Sequence, residues 1–103
     1  MDVIHECMQM TSYGGEAKSQ ALLAIKEARE GNFKLAEEGL KKAEEALKKS
    51  HQAHTNLLSY EAEKEDLKVT LFMVHAADHL AAADVINFLA EEIIYLHKEG
   101  RNV

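Results

Sequence analysis

Proline is absent from the chain, and glycine occupies only five of its 103 positions. A sandwich or barrel of short strands needs turn residues at every corner, so an all-β fold is disfavoured. What remains is a chain of long helices with few places to stop. Its length suits one domain, spanning residues 1–103, with one real core.

The internal breaks are the pair Gly14-Gly15 and the step Gly31-Asn32. The second fits a helix stop followed by a new N-cap. The first helix is predicted from Val3 to Arg29, with the glycine pair as a weak point inside it. Each interior glycine costs about 1 kcal/mol relative to alanine, so a kink or two separate helices is the alternative. After Asn32, apolar residues recur at three- and four-residue steps (Leu35, Ala36, Leu40, Ala43, Ala46, Leu47), which defines a second, amphipathic helix. It is expected to end near Ser59-Tyr60, with the acidic segment Glu61 to Asp66 as the connection. A third helix is predicted over Leu67 to Lys98, closed by Gly100. Short connections force neighbouring helices to run antiparallel, so the expected fold is an all-α, up-down-up three-helix bundle.

The charge pattern narrows the function. Twelve Lys and Arg stand against eighteen Asp and Glu, a formal charge of −6, which argues against a nucleic-acid binder. Alternating Glu and Lys pairs from Glu37 to Lys49 read as a solvated helix face. The lone Cys7 cannot form an internal disulfide and suits a reducing compartment; it reads as a small buried hydrophobe. The N-terminus lacks the basic and apolar regions of a signal peptide, and no apolar run is long enough to cross a bilayer. A soluble cytoplasmic protein is expected.

The third helix carries the anomaly. On a helical wheel, Asp66, Thr70, Ala77, Asp84, Asn87, Glu91, Tyr95 and Lys98 form a stripe that should face water. The opposite half holds Leu71, Ala82, Val85, Ile86, Leu89 and Ile93. His75 falls on that apolar half, with Asp78 about 60° to one side and His79 one turn on. A buried carboxylate must be paired, hydrogen-bonded, metal-bound or protonated. The flanks, with Phe72, Met73, Ala76, Leu80, Ala83, Ala90 and Ile94, are apolar as well. A helix apolar around most of its circumference needs more cover than two partners provide, so oligomerisation through this helix is expected.

The run Val74-His75-Ala76-Ala77-Asp78-His79-Leu80 resembles the V-H-A-Q-D-H-L signature of the lactose/cellobiose-type IIA components of the bacterial phosphoenolpyruvate-dependent sugar phosphotransferase system. Gly15-Glu16-Ala17-Lys18-Ser19 resembles that family's G-x-A-[RK]-S, and Ala28 to Phe33 its A-x-x-G-[DN]-F break. Ala46-Leu47, Ser50-His51 and Thr55 resemble its A-L-x-x-A-H-x-x-x-T stretch, with Ser50 where alanine is usual. Ala77 stands where the family has glutamine, and Ala81 where methionine is usual.

The resemblance implies a protomer of three helices that assembles as a homotrimer about its third helix. It implies that His75 accepts a phosphoryl group from the phosphocarrier HPr and passes it to a cysteine of a cognate IIB component, with membrane contact only indirectly through IIC. It also implies that Asp78 is the metal position, where three copies meet. Three carboxylates at an axis must share protons or hold a cation. Oxygen ligands favour a hard divalent ion such as Mg²⁺.

The chemistry suits these residue types. A neutral imidazole is both nucleophile and leaving group near pH 7, with an ordinary pKa of about 6.5. Phosphoryl transfer depends mainly on positioning and charge stabilisation, so neither a triad nor a Gly-rich phosphate loop is required. His75 is expected in a groove at a subunit boundary, where burial disfavours imidazolium, and His79 is the candidate supporting donor. Two rival readings stand beside this one. One is a metal-binding bundle using His75, Asp78 and His79 with His51 or His54, the last two being three apart on the second helix. The other is a purely structural interaction module. His5 and His97 read as solvated.

Overall fold

The computed structural model describes residues 1–100. Among them run three helices, α1 (Val3–Arg29), α2 (Phe33–Lys64) and α3 (Leu71–Gly100), in a rod of 57 × 20 × 16 Å. The start of α1 packs with the end of α2 and the start of α3, through Cys7, Met10, Leu57, Ala76 and Leu80. At the far end Ala24 and Ala28 meet Ala36 and Ile94. The order is therefore up-down-up, as expected. Helix α1 is the middle member: it packs along both partners, whereas α2 and α3 touch each other little.

The core is built from small side chains. On α1 the buried positions are Cys7, Met10, Gly14, Ala17, Ala21, Ala24 and Ala28, alternating steps of three and four without a slip. Helix α3 repeats the pattern through Ala76, Leu80, Ala83, Asn87, Ala90 and Ile94. This is a 3.5-residue period, the spacing at which helices stay in contact along their length.

Local chemistry sets the helix ends. Asp2 caps α1, its Oδ1 accepting from the His5 N–H at 3.0 Å. Helix α1 stops at a Schellman turn: Gly31 N–H donates to the Ala28 carbonyl and Asn32 N–H to that of Glu27, at 3.0 and 2.8 Å. Gly31 sits at φ 87°, a conformation glycine takes without cost. Asn32 occupies the N-cap of α2 but does not cap with its side chain; its Nδ2 donates to Glu27 Oε2 instead, at 2.9 Å.

Two boundaries differ from the sequence expectation. Helix α2 continues through Glu61 to Lys64, because Glu, Ala and Lys are strong helix formers however polar the run. It ends at Glu65, which is left-handed at φ 56°. Helix α3 starts at Leu71 and not Leu67, because Thr70 Oγ1 accepts from the Met73 N–H at 3.2 Å and fixes the first turn there. Helix α1 runs unbroken through Gly14-Gly15.

Ser50 is fully buried and its hydroxyl donates to the Met10 carbonyl at 2.8 Å, joining α2 to α1. Ser50→Ala removes this bond and is expected to cost about 1 kcal/mol in chemical denaturation. An unchanged midpoint and slope would show that the bond contributes nothing net.

Among the described residues, no helix is long and apolar enough to cross a membrane. The Glu and Lys side chains from Glu37 to Lys49 are all exposed, as expected of a solvated face. Cys7 is fully buried, and burial pushes its thiol pKa up, with Glu6 adding to the shift.

Candidate functional site

The direction in which α3 points its side chains differs from the wheel reading. The side facing α1 is the flank that carries Ala76, Leu80, Ala83, Ala90 and Ile94, together with Asn87. Asn87, expected in water, is buried; its Nδ2 donates to the Ala83 carbonyl at 2.9 Å and to that of Ala17 at 3.5 Å. The opposite stripe, expected to be dry, is open in the single chain. Leu71, Val85 and Leu89 are between 49% and 84% exposed, with Leu96 beside them at 66%, while Ala82, Ile86 and Ile93 are half-buried.

His75 is exposed in the single chain, so the expected burial is not a property of one protomer. One residue before the buried Ala76, it stands at the edge between the core face and the open apolar stripe. His79 lies one turn on, half-buried. The two rings meet edge to face, with centroids 4.5 Å apart and planes at 71°. The Nδ1 of His79 is enclosed and has no hydrogen-bond partner. The backbone beneath this pair is fixed by α1: a Cβ at Gly14 would lie 3.3 Å from the His79 carbonyl oxygen. The glycine that looked like a weak point therefore lets α1 press against the turn that carries both imidazoles.

Asp78 is exposed and sits within the open apolar stripe. Among the described residues, nothing pairs with its carboxylate and no three His, Cys, Asp or Glu side chains gather into a metal-binding group. The set His75, Asp78 and His79 with His51 or His54 is therefore not assembled in one chain. His51 is instead paired with Asp84 of α3, Nε2 to Oδ1 at 2.7 Å. His5 is exposed, within 3.2 Å of the Gln9 amide. His97 is half-buried and not fully solvated.

His54 lines a cleft that the sequence reading did not anticipate. It lies between the end of α2 and the start of α3 and has a volume of about 180 Å³. Its walls include Leu57 and Leu58 on one side and Met73, Val74 and Ala77 on the other. Val74 and Ala77 lie about 100° and 160° round α3 from His75, so the cleft opens on the side of the helix away from the imidazole pair.

Comparison with known proteins agrees with this architecture. The family described as PTS system, lactose/cellobiose-specific IIA subunit, matches residues 5–98. The lactose-specific EIIA component of Staphylococcus epidermidis is 35% identical over 92 residues, covering 89% of this chain and 88% of that protein. The lichenan-specific enzyme IIA component of Bacillus subtilis is 40% identical over 91 residues, covering 88% and 83%.

Among solved structures, the cellobiose-specific enzyme IIA of Bacillus anthracis superposes with a TM-score of 0.94 at 31% identity, covering 99% of this chain and 94% of that one. The IIA(Chitobiose) of Escherichia coli, solved in complex with HPr, superposes at 0.84 with 30% identity and 98% coverage of both chains. The fold and the matched motif thus define a sugar-specific component of the phosphotransferase system. Within that system, the chain belongs to the lactose/cellobiose-specific IIA family.

Proposed function

We propose that this chain is a phosphoryl carrier whose acceptor is His75. The observation that carries the proposal is an exposed imidazole in the family's motif, one turn before the backbone of His79 that α1 closely approaches at Gly14. Phospho-HPr delivers the phosphoryl group to a ring nitrogen of His75. The group then leaves to a cysteine of the cognate IIB component, serving uptake of a lactose- or cellobiose-type sugar from the cytoplasmic side. The incoming group adds about two negative charges. His79, in ring contact with His75, is a side chain able to donate to it, and an enclosed Nδ1 leaves Nε2 as its outward nitrogen.

A homotrimer about α3 is part of the proposal. The protomer buries alanine and leaves Leu71, Val85, Leu89 and Leu96 outside, and a contiguous apolar stripe of this kind marks an association surface. Closing it with two further copies places His75 at the seam. It also gathers the three Asp78 carboxylates near one axis, where they would hold a divalent cation, Mg²⁺ by their oxygen chemistry. That cation would cancel charge and join protomers, taking no part in transfer.

Asp78→Leu removes the repulsion and is expected to keep the trimer and raise its melting temperature, each 1 kcal/mol gained being worth about 4–8 °C. Light scattering that finds the variant monomeric would defeat the trimer arrangement. The relay itself is tested by incubating the protein with enzyme I, HPr and phosphoenolpyruvate. One acid-labile phosphoryl group per chain is expected, and a chain that stays unlabelled overturns the proposal.

A further inference from the structure

We propose that α1 carries half of the interface between copies: its ridge of Ile4, Met8 and Leu22 seats against the α2–α3 side of the next copy, with Met8 in the cleft between Leu58 and Val74. The proposal rests on the homotrimer reading and adds to it the face that closes the ring.

The rod has two unlike long sides. Going round α1 in steps of about 100°, Ala24 meets Gly39 of α2, Gly14 meets α3 about 80° further on, and the ridge follows about 80–120° beyond that. The ridge therefore lies on the side away from α2. Its own chain leaves it largely uncovered: Ile4, Met8 and Leu22 are between 52% and 64% exposed. His75 is on this side too, since Val74, Ala77 and the cleft they form with α2 lie on the other. A ring of three copies joins one face to a different face, and these two sides supply the pair.

Register matches the two sides. Helices α1 and α3 run parallel, with Gly14 against Leu80 and Ala17 packed with Ala83. A residue of α1 is thus level with the α3 residue about 66 positions later. Copies arranged round an axis along the rod keep these heights. Met8 of one copy then comes level with Val74 of the next, and Leu22 with Phe88, all of them exposed. Between them Gly15, with open space round it, comes level with Ala81, so nothing bulky holds the helices apart. Lys18 is half-buried and, among the described residues, paired with no carboxylate of its own chain. It comes level with Asp84 of the next copy, an attraction of opposite charges.

Size fits as well. At about 180 Å³ the cleft is smaller than the roughly 300–1,000 Å³ of sites that hold metabolites, and it suits one long, unbranched side chain. Methionine, flexible and apolar, fills irregular gaps of this kind. Leu58 and Val74 on the cleft walls are exposed in the single chain, so a seated Met8 takes both from water together with itself. His75 stands nearly level with Met8 on the same side of the rod, so the copy that takes the methionine also walls the imidazole. The site is incomplete without it.

The test joins the two sides covalently in the full chain. Met8→Cys is combined with Val74→Cys in one variant and with Leu58→Cys in another. The native Cys7 is fully buried, so the added thiols are the reactive ones. Within one chain they sit on opposite sides of the rod, and no internal bond can form. On mild oxidation at least one of the two variants is expected to run as covalent dimers and trimers on a non-reducing gel, while Met8→Cys alone stays a single chain. In sedimentation equilibrium, Met8→Lys and Leu22→Lys should each raise the dissociation constant of the trimer at least about tenfold, because each would place a charge in the contact. Both double variants remaining single chains, dimers from Met8→Cys alone, or dissociation constants unchanged within about twofold would each overturn the α1 contact while leaving a trimer about α3 standing. An unmodified chain that sediments as a monomer would instead remove the trimer, and the α1 contact with it.

Discussion

His75→Ala takes up no phosphoryl group from phospho-HPr, while the five other histidines remain in place. The variant separates chemistry from folding because His75 is exposed and holds no structural hydrogen bond. The edge-to-face contact with His79 is lost as well, so stability should fall by no more than about 0.5–1.5 kcal/mol. The loss of labelling should be complete, since removing the nucleophile leaves no bond to form. His79→Ala is the informative companion. It removes the edge-to-face ring but not the acceptor, so labelling should still reach one group per chain, only more slowly. Full labelling of His75→Ala would move the acceptor to another side chain. Loss of final stoichiometry in His79→Ala would make that ring the acceptor or an obligatory part of it.

Gly14→Val and Gly15→Ala should move stability in opposite directions, although the two glycines are neighbours in one helix. A side chain at Gly14 meets backbone, with the His79 carbonyl oxygen at 3.3 Å and carbon at 3.4 Å and the Leu80 nitrogen at 3.5 Å. Backbone cannot swing aside as a flexible side chain does. A valine there should cost about 2–3 kcal/mol, lowering the melting temperature by roughly 10–20 °C. Because the displaced turn holds His79, phosphoryl uptake by His75 should slow as well. At Gly15 no atom lies within 4 Å of an added Cβ. Alanine there should gain about 0.5–1 kcal/mol by relieving the helix of glycine's excess freedom. Thermal melts of the two variants decide the matter; equal effects would mean that the α1–α3 contact is looser than described.

These two glycines also mark where sequence reasoning stops. Helix propensity treats both as equal defects, and only the third dimension distinguishes a contact from an open position. The Gly31-Asn32 break was legible because its chemistry is local: a glycine for the left-handed turn, then the start of a new amphipathic pattern. The end of α2 was not, since the acidity of Glu61 and Glu63 suggests a loop while their intrinsic preference continues the helix. Thr70 sets the start of α3 through one cap bond, a local signal that hydrophobic periodicity does not carry.

The faces of α3 were misassigned for a physical reason. A helix apolar on most sides gives no clear direction, and its polar stripe does not lie opposite the core face, since Asn87 within that stripe is buried. The bundle instead buries alanine and turns Leu71, Val85 and Leu89 outward. The motif around His75 was legible as chemistry because those residues lie within two turns of one helix. The His51–Asp84 pair and the cleft at Ala77 depend on how α2 meets α3, which no single-helix pattern records.

A bundle lined with methyl groups has little to lose on melting. Few large side chains enter water when one protomer unfolds, so its heat-capacity increment should be small for its length and its stability curve shallow. If the leucine stripe of α3 is closed only by association, dilution works as a denaturant. The melting temperature should then climb with protein concentration, as expected when part of the interior belongs to the assembly and not to the chain.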